Sequence, residues 1–201
     1  MNLSILFWNY QGVSSPSFRR AFKSLISTYK VDMVAVLEPK VSGLQADKFI
    51  KPSGFDRSQR VEAVGFSGCI WLLWNERITV DIVENHKQFI LFKVINMNGG
   101  WSWITAVYAS PVNALRSQLW IELGRLSKYI QGPWILRGDF NNILHVEEKQ
   151  WGSSRRTGVS NRFSNWFHAA RMIDPGFKGP RFTWSKGRLA KRLDRAICND
   201  E

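Results

Sequence analysis

Apolar positions along the chain follow two periods, one typical of β-strands and one typical of α-helices. Short apolar runs predict strands at residues 3–8, 32–37, 69–74, 78–83, 89–95, 101–108, 134–139, 182–184 and 193–198. Helical spacing predicts a helix from Pro16 to about residue 30, a second from about Asn113 and a third from about Ser160. Ser15 before Pro16 is the expected N-cap of the first helix.

The strands predicted between residues 69 and 108 follow one another closely, and Gly99-Gly100 precedes the last of them. This spacing is typical of an antiparallel sheet with hairpin connections. Elsewhere strands and helices alternate, without repeats or a linker. The pattern therefore predicts one compact α/β domain over residues 1–201.

Composition adds an expectation about partners and compartment. The chain has 201 residues, 44% of them hydrophobic, and a net charge of +12, which indicates a polyanionic partner or an anionic surface. A solubilising surface charge is the alternative. No segment is long and apolar enough to span a bilayer, and residues 1–9 lack the features of a signal peptide. Two cysteines form no disulfide framework, so a nuclear or cytoplasmic rather than secreted protein is expected.

Positive charge is concentrated between residues 155 and 195. The residues predicted to contact a nucleic-acid backbone are Arg155, Arg156, Lys186, Arg188 and Arg192. Trp151 and Trp184 could stack on a base, although a loop anchor and a core residue are the simpler interpretations.

The segment Gly138-Asp139-Phe140-Asn141 follows the predicted strand 134–139. Strand alternation would point the side chains of Asp139 and Asn141 the same way. A carboxylate beside an amide can hold a water or a phosphate oxygen. An Asp-x-Asn segment after a strand is also a common turn, so the motif alone leaves both interpretations open.

Four predicted strands end in polar side chains, which are Asn9, Glu38, Tyr108, and Asp139 with Asn141. If these ends meet, they form a cluster of oxygen ligands, an amide and a phenol. A carboxylate-rich site without thiols suits Mg²⁺ or Mn²⁺ rather than zinc. Taken singly, Asn9 could shape a turn, Glu38 could be a solvated strand end and Tyr108 could be a core residue.

The order of these motifs resembles the endonuclease/exonuclease/phosphatase superfamily, which includes DNase I and the apurinic endonucleases. More closely, the chain resembles the endonuclease domain of plant LINE-type (non-LTR) retrotransposons. The segments that carry the resemblance are 6–12, 36–40, 107–111, 132–134, 138–141, 179–184 and 192–195. The resemblance implies a four-layer α/β sandwich, in which two packed mixed β-sheets are flanked by helices.

The resemblance also implies a metal-dependent hydrolysis of phosphodiester bonds in DNA by a monomer. Glu38 would ligate Mg²⁺ or Mn²⁺, with Asn9 beside it. Asp139 would orient or deprotonate the attacking water, and Asn141 would position the scissile phosphate.

Two further roles follow from the resemblance. Tyr108 would donate a hydrogen bond to a phosphate oxygen, and Asp194 would orient a histidine. In the family that histidine belongs to a terminal Ser-Asp-His segment, whereas this chain ends at Glu201. We therefore expect a C-terminally truncated domain that lacks the last strands and exposes a sheet edge. The three histidines of the chain lie outside the matching motifs and are expected to be surface or core residues.

Three functions remain open at this point. The first is a metal-dependent DNA endonuclease of a mobile element. The second is a truncated relic that binds nucleic acid without cutting it. The third is a phosphomonoesterase acting on a small phosphate, which the charge disfavours because a spread basic surface suits a polymer better.

Overall fold

The computed structural model describes residues 3–10, 12–13, 15–62, 69–95, 99–151 and 161–201. The helices in these ranges are α1 (Pro16–Tyr29), α2 (Gly43–Ile50), α3 (Asn113–Tyr129) and α4 (Asn161–Ala169), with short 3₁₀ turns at Lys51–Ser53 and Val146–Glu148. The strands are β1 (Ile5–Asn9), β2 (Met33–Leu37), β3 (Arg57–Val61), β4 (Ile70–Trp74), β5 (Val80–His86), β6 (Phe89–Ile95), β7 (Trp101–Tyr108), β8 (Trp134–Asp139), β9 (Lys149–Gln150), β10 (Trp184–Lys186), β11 (Leu189–Lys191) and β12 (Asp194–Cys198).

These strands form two large mixed sheets and one small one. The first sheet has the order β1-β2-β4-β3, and its parallel pair is β1 with β2. The second has the order β12-β8-β7-β6-β5, and its parallel pair is β7 with β8. A small antiparallel sheet, β10-β11-β9, completes the set. Each large sheet thus contains one parallel pair, whose two strands end at the same edge.

The two large sheets pack face to face because their central strands are apolar on both sides. In β2, Met33, Ala35 and Leu37 pack in the cluster between the sheets. The alternate residues Val34 and Val36 pack in a separate cluster against the helices. Strands covered on both faces read as continuous apolar runs, which is the pattern that predicted β2.

Helices cover both outer faces of the pair of sheets. Phe18 and Phe22 of α1 are buried against the first sheet, together with Phe49 of α2. On the other side, α3 and α4 bury an aromatic cluster that includes Trp120 and Phe163, whose rings stack with centroids 4.5 Å apart. The predicted four-layer sandwich of two mixed sheets with flanking helices is confirmed.

Local signals placed the first helix correctly. The Ser15 hydroxyl accepts a hydrogen bond from the Phe18 amide at 3.2 Å, as expected of an N-cap, and Pro16 opens the helix. Ser160, the expected start of the third predicted helix, lies outside the described residues. Within the described parts of the chain, no helix combines the length and the apolar character needed to cross a lipid bilayer.

One prediction about the sheets was wrong. Strand β4 was expected to pair with β5, β6 and β7, but it lies between β2 and β3 in the other sheet. The turn at Asn75–Ile78, closed by the Ile78 amide on the Asn75 carbonyl, precedes β5 in the second sheet. Strands that are close together in the sequence therefore either form a hairpin within one sheet or belong to different sheets.

Two elements in the polar region after residue 38 were not predicted. Helix α2 begins at Gly43 after Ser42, a residue type that often caps helices, although the Ser42 side chain makes no capping hydrogen bond here. Strand β3 is an edge strand, and of its residues only Val61 packs in the core between the sheets. Edge strands need little apolar content, so their sequence pattern is weak.

Candidate active site

The polar strand ends predicted from the sequence meet at one place. In the second sheet, Tyr108 lies directly opposite Asp139 in the β7–β8 ladder. Asp194 lies opposite Asp139 on the other side, in the β8–β12 ladder. Asn9 ends β1, in the first sheet, and reaches across to both carboxylates. Four strands from the two sheets therefore supply one cluster.

Asn9 joins the sheets through its side-chain amide. Its Nδ2 donates to Asp139 Oδ2 at 2.9 Å and to Asp194 Oδ1 at 3.2 Å. Its Oδ1 is buried and has no hydrogen-bond partner among the described residues. A buried acceptor without a donor is costly unless a ligand or a water satisfies it, so this oxygen is a candidate ligand for a cation.

Asp139 and Asn141 lie side by side, but through a turn rather than through strand alternation. Strand β8 ends at Asp139, and Asn141 adopts a left-handed conformation with φ of 45°. The Asn141 amide donates to Asp139 Oδ1 at 2.7 Å, while its side-chain Nδ2 donates to the Ala109 carbonyl at 2.8 Å. The Asp-x-Asn segment is thus both a turn and part of the site, because the turn holds the carboxylate in place.

Gly138 permits the close approach of β7 and β8 at this point. Its φ is 145°, and a Cβ atom there would collide with the carbonyl oxygen of Val107. Any larger residue would push the two strands apart beside Asp139. The glycine of the motif therefore has a structural role in the geometry of the site.

Glu38 and Tyr108 complete the cluster and are hydrogen-bonded to each other. Glu38 follows β2 in a left-handed conformation with φ of 54°, and its carboxylate lies 3.5 Å from the Lys40 ammonium. Burial, together with the charges of Glu38 and Asp139 and a hydrogen bond to Glu38, raises the pKa of Tyr108 far above its ordinary value. The phenol therefore stays protonated and acts as a hydrogen-bond donor.

Burial raises the pKa values of both aspartates of the site. Burial and the nearby charge of Asp194 raise the pKa of Asp139 to about 7, against the hydrogen bonds donated by Asn141 and Asn9. Burial also raises the pKa of Asp194, against hydrogen bonds from Thr183 and Asn9. Neither carboxylate is in an ion pair among the described residues, although the charge of Arg137 acts on Asp194. Two such buried carboxylates suit a site that accepts a proton or a cation.

The donor set suits a hard divalent cation with a partly hydrated shell. Among the described residues, no group of three or more His, Cys, Asp or Glu side chains has the geometry of a metal cage. Mg²⁺ usually keeps several waters and takes one or two protein carboxylates. Glu38 and the unpartnered Oδ1 of Asn9 fit that requirement, since both are oxygen ligands.

Thr183 is a site residue that the sequence reasoning did not single out. Its hydroxyl accepts hydrogen bonds from the backbone amides of Leu193 and Asp194, each at 3.0 Å. The signal was present, because Thr183 lies in the matched segment 179–184.

The three histidines make other contacts. His86 accepts a hydrogen bond from the Gln88 amide, His145 caps the 3₁₀ turn Val146–Glu148, and His168 contacts the Phe167 ring. Asp194, expected to orient a histidine, contacts Asn9 and Thr183 instead.

The predicted basic residues have different environments. Lys186 and Arg188 are exposed in the β10–β11 hairpin, which turns at Gly187. Arg192 is buried and forms ion pairs with Glu148 at 3.2 Å and Asp174 at 3.0 Å. The prediction that Arg192 contacts nucleic acid is therefore corrected, because its guanidinium is already held by two carboxylates.

The remaining predicted contacts are partly outside the described residues. Arg155 and Arg156 lie there, so the structure describes neither of them. Trp151 is exposed, with a φ of 60°, whereas Trp184 is half-buried beside Lys191.

A cleft of about 360 Å³ opens beside the cluster, between β1 and the β8–β12 pair. Phe7 and Asn9 line one side, and Asp194 with Thr183 lines the other. Arg137 also lines the cleft, with its guanidinium 5.5 Å from the centroid of the Phe7 ring. The Asp194 carboxylate is therefore reachable from solvent on this side.

The sequence of the chain matches one known protein family. The sequence profile described as the Endonuclease/Exonuclease/phosphatase family matches residues 6–201. No curated protein sequence matches the chain.

Solved structures share the fold at low sequence identity. The endonuclease domain of TRAS1, a telomere-specific non-LTR retrotransposon, superposes with a TM-score of 0.70 at 14% identity, covering 99% of this chain and 86% of that chain. An AP endonuclease from Leishmania major gives 0.71 at 16% identity, covering 98% and 79%. A 3'-5' exonuclease from Neisseria meningitidis gives 0.70 at 15% identity, covering 97% and 86%.

Proposed function

Because the chain belongs to the endonuclease/exonuclease/phosphatase family, whose members hydrolyse phosphate esters, we propose that it is a metal-dependent DNA endonuclease derived from a LINE-type retrotransposon. The observation that carries the proposal is the junction made by Asn9, whose Nδ2 donates to Asp139 and Asp194 and whose buried Oδ1 has no partner among the residues that the structure describes. Such a junction suits a cation and a polarised water at the same place.

Glu38 and Asn9 would hold Mg²⁺ or Mn²⁺. When bound, the cation supplies charge neutralisation at the phosphate that is attacked. The Lys40 ammonium lies 3.5 Å from the Glu38 carboxylate, so it contributes positive charge beside the proposed metal ligand.

Asp139 is the proposed general base. Its pKa of about 7 allows it to accept a proton from a water near neutral pH. The Asn141 amide and the Asn9 side chain fix the orientation of its carboxylate. As the proton moves to Asp139, the water oxygen attacks phosphorus, the bond to the leaving sugar oxygen breaks, and that oxygen takes a proton from solvent.

Tyr108 is the proposed donor to a phosphate oxygen. Its phenol is protonated and buried beside Glu38 and Asp139, where developing negative charge needs a donor. The proposed role of Asn141 is indirect, because its side-chain nitrogen bonds to the Ala109 carbonyl and to Asp139.

DNA is the proposed substrate because of the charge of the protein. The net charge is +12. Lys186 and Arg188 are exposed on the β10–β11 hairpin, and the chain continues from β11 to Asp194 of the site. A phosphomonoester of small size would not need such an extended basic surface. Arg155 and Arg156 remain proposed backbone contacts.

A second candidate is nucleic-acid binding without cleavage. The observation that favours it is that Asp194 bonds to Asn9 and Thr183, although the resemblance gives this residue a histidine to orient.

The test is nicking of supercoiled plasmid by the purified chain with Mg²⁺ or Mn²⁺, and with EDTA. We expect metal-dependent nicking that falls by about 10²- to 10⁴-fold in Asp139→Ala, since a general base contributes that much. Asp81→Ala, which removes an exposed carboxylate from β5, is the matched control and should nick like the wild type. A folded wild-type protein that does not nick, but binds DNA, would support the second candidate.

A further inference from the structure

A buried glutamine lies beside the segment that carries Tyr108. Gln88 occupies the turn between β5 and β6 and is only 3% exposed. A buried amide side chain is costly unless its oxygen and its nitrogen both have hydrogen-bond partners. The partners of Gln88 therefore indicate what this residue does in the structure.

Both polar atoms of the Gln88 side chain bond to the backbone that follows β7. Its Oε1 accepts a hydrogen bond from the Ser110 amide at 2.7 Å, and its Nε2 donates to the Leu115 carbonyl at 3.0 Å. The Gln88 carbonyl also accepts from the Tyr108 amide at 2.9 Å. One residue thus holds the chain on both sides of Ala109 and ties it to the first turn of α3.

The same segment contacts the candidate active site. The Ala109 amide donates to the Asp139 carbonyl at 2.8 Å, and the Ala109 carbonyl accepts from the Asn141 side chain at 2.8 Å. The Tyr108 phenol, in turn, is hydrogen-bonded to Glu38. A displacement of this segment would therefore move the phenol relative to the carboxylates of the site.

The position of the phenol matters for the proposed reaction. A donor stabilises developing charge only when it lies within hydrogen-bond distance of the oxygen on which the charge develops. Misplacement of such a group by about 1 Å can lower a rate by about 10²-fold. The Ser110 amide is buried and needs an acceptor, and the side chain of Gln88 supplies that acceptor at a fixed place.

We propose that Gln88 is a positioning residue for phosphodiester hydrolysis, because it fixes the segment 108–110 and thereby the phenol that donates to the phosphate oxygen. The inference rests on the proposed function, since the phenol meets a phosphate oxygen only if the site binds a phosphodiester. It goes beyond that function by assigning a role to a buried side chain that acts through Tyr108 and not on the substrate.

The first test is the nicking of supercoiled plasmid by Gln88→Met. Methionine resembles glutamine in length and has neither its acceptor nor its donor, so the Ser110 amide loses its partner. We expect kcat to fall by about 10- to 10²-fold. KM should stay close to that of the wild type, because a buried side chain contributes no direct contact to bound DNA.

Gln88→Glu is the conservative variant. A protonated carboxyl group offers one acceptor and one donor, as the amide does, and burial favours the protonated form. At about pH 6 this variant should therefore keep most of the kcat that the wild type has at the same pH.

The matched control is Asn199, whose side chain makes the same pair of bonds at the opposite end of β8 from Asp139. Its Oδ1 accepts from the Trp134 amide at 2.9 Å, and its Nδ2 donates to the Gly132 carbonyl at 3.0 Å. Asn199→Leu should lower the Tm about as much as Gln88→Met, because each variant loses two side-chain hydrogen bonds. Below its Tm it should nick with the kcat of the wild type.

A double-mutant cycle separates positioning from a general loss of structure. If Gln88 acts through the phenol, Gln88→Met should slow the Tyr108→Phe variant by less than about twofold, because the donor is already gone. Equal fold-losses in the two backgrounds would overturn the proposal, and so would an unchanged kcat in Gln88→Met. Either result leaves the endonuclease function standing, since the wild type still nicks.

Amide hydrogen exchange tests the same role without cleavage. In Gln88→Met, the Ala109 amide should exchange at least about 10-fold faster relative to the Leu72 amide, which lies in the central strand β4 of the other sheet. Asn199→Leu should leave this ratio as in the wild type. An unchanged ratio in Gln88→Met would overturn the positioning role. Faster exchange in a protein whose wild type never nicks would overturn the proposed function and support the fixing of the segment by Gln88.

Discussion

Two groups of buried acids in the same half of the molecule behave in opposite ways. Burial raises the pKa of Asp139 and Asp194 in the candidate active site. Burial also opposes ionisation of Glu148 and Asp174, but their hydrogen bonds and charge interactions with Arg195 and Arg192 hold both pKa values below the ordinary range. The residue types are similar, but only Glu148 and Asp174 are in ion-pair contact with arginines, and these contacts outweigh the effect of burial on their pKa values.

The second group is a closed ion cluster. Arg195 has a fully buried side chain and lies 2.5 Å from Glu148 and 3.4 Å from Asp174, while Arg192 pairs with the same two acids. In the first group, amides and a phenol surround the acids, and one amide oxygen has no partner in the part of the chain that the structure describes. In the second group, ion pairs neutralise the buried carboxylates and stabilise the fold. In the first group, the carboxylates are not in ion pairs among the described residues, so they can bind a cation, a proton or a substrate.

The largest expected effect comes from opening the closed cluster. Arg195→Met leaves Glu148 and Asp174 with only Arg192 to neutralise them, so we expect a loss of about 3–5 kcal/mol in the free energy of unfolding. For a domain of this size that corresponds to a fall in Tm on the order of 10 °C. Urea denaturation measures the loss directly.

The double variant Arg195→Met/Glu148→Leu is the control for that measurement. It removes the unpaired carboxylate together with its partner, so it should recover a large part of the loss. A single variant as stable as the wild type would show that the cluster does not stabilise the fold.

The next effect is a pH dependence of stability that belongs to the candidate active site. The pKa of Asp139 rises from its ordinary value of 3.8 to about 7 on folding. A raised pKa stabilises the fold below the unfolded value, and this stabilisation is lost as the pH rises through the folded value. In EDTA, the Tm of the wild type should therefore fall, relative to that of Asp139→Asn, between about pH 4 and about pH 7.

Between pH 4 and pH 8, the Tm of Asp139→Asn should rise relative to that of the wild type by on the order of 10 °C. Thermal melts of both proteins across that range measure it. Equal Tm differences at the two pH values would mean that Asp139 is ionised throughout, like Glu148 and Asp174.

The smallest effect concerns an exposed ion pair with short distances. Arg125 lies 2.6 and 2.7 Å from the two oxygens of Glu84, but both side chains are partly exposed. Glu84→Gln should change the free energy of unfolding by less than about 1 kcal/mol, because solvent screens such pairs. A loss as large as that of Arg195→Met would contradict the view that burial, rather than short distance, makes an ion pair structurally important.

Several features were predictable because their causes are local. Ser15 and Pro16 start α1 through groups within one turn of each other. The continuous apolar run of β2 reflects burial on both faces, which any two-sided strand needs. Asp139 and Asn141 were expected to lie together because of strand alternation, and they do lie together, but a turn rather than alternation brings them into contact.

Other features depended on partners far away in the chain. Arg192 reads as a basic surface residue until Glu148 and Asp174 are seen beside it. The sheet to which β4 belongs follows from its ladder with β2 and not from its distance to β5. Thr183 acquires its role from the amide of Asp194, with which it shares no sequence pattern.

The sequence by itself determined the helices with strong caps, the strands buried on both faces, the basic charge and the polar residue at each strand end. These depend on neighbours a few positions away or on composition. Only the tertiary structure decided which charges are compensated and which are left open. Pairing of Asn9 with Asp139, or of Arg195 with Glu148, joins residues separated by 130 and 47 positions, and no local pattern encodes such a distance.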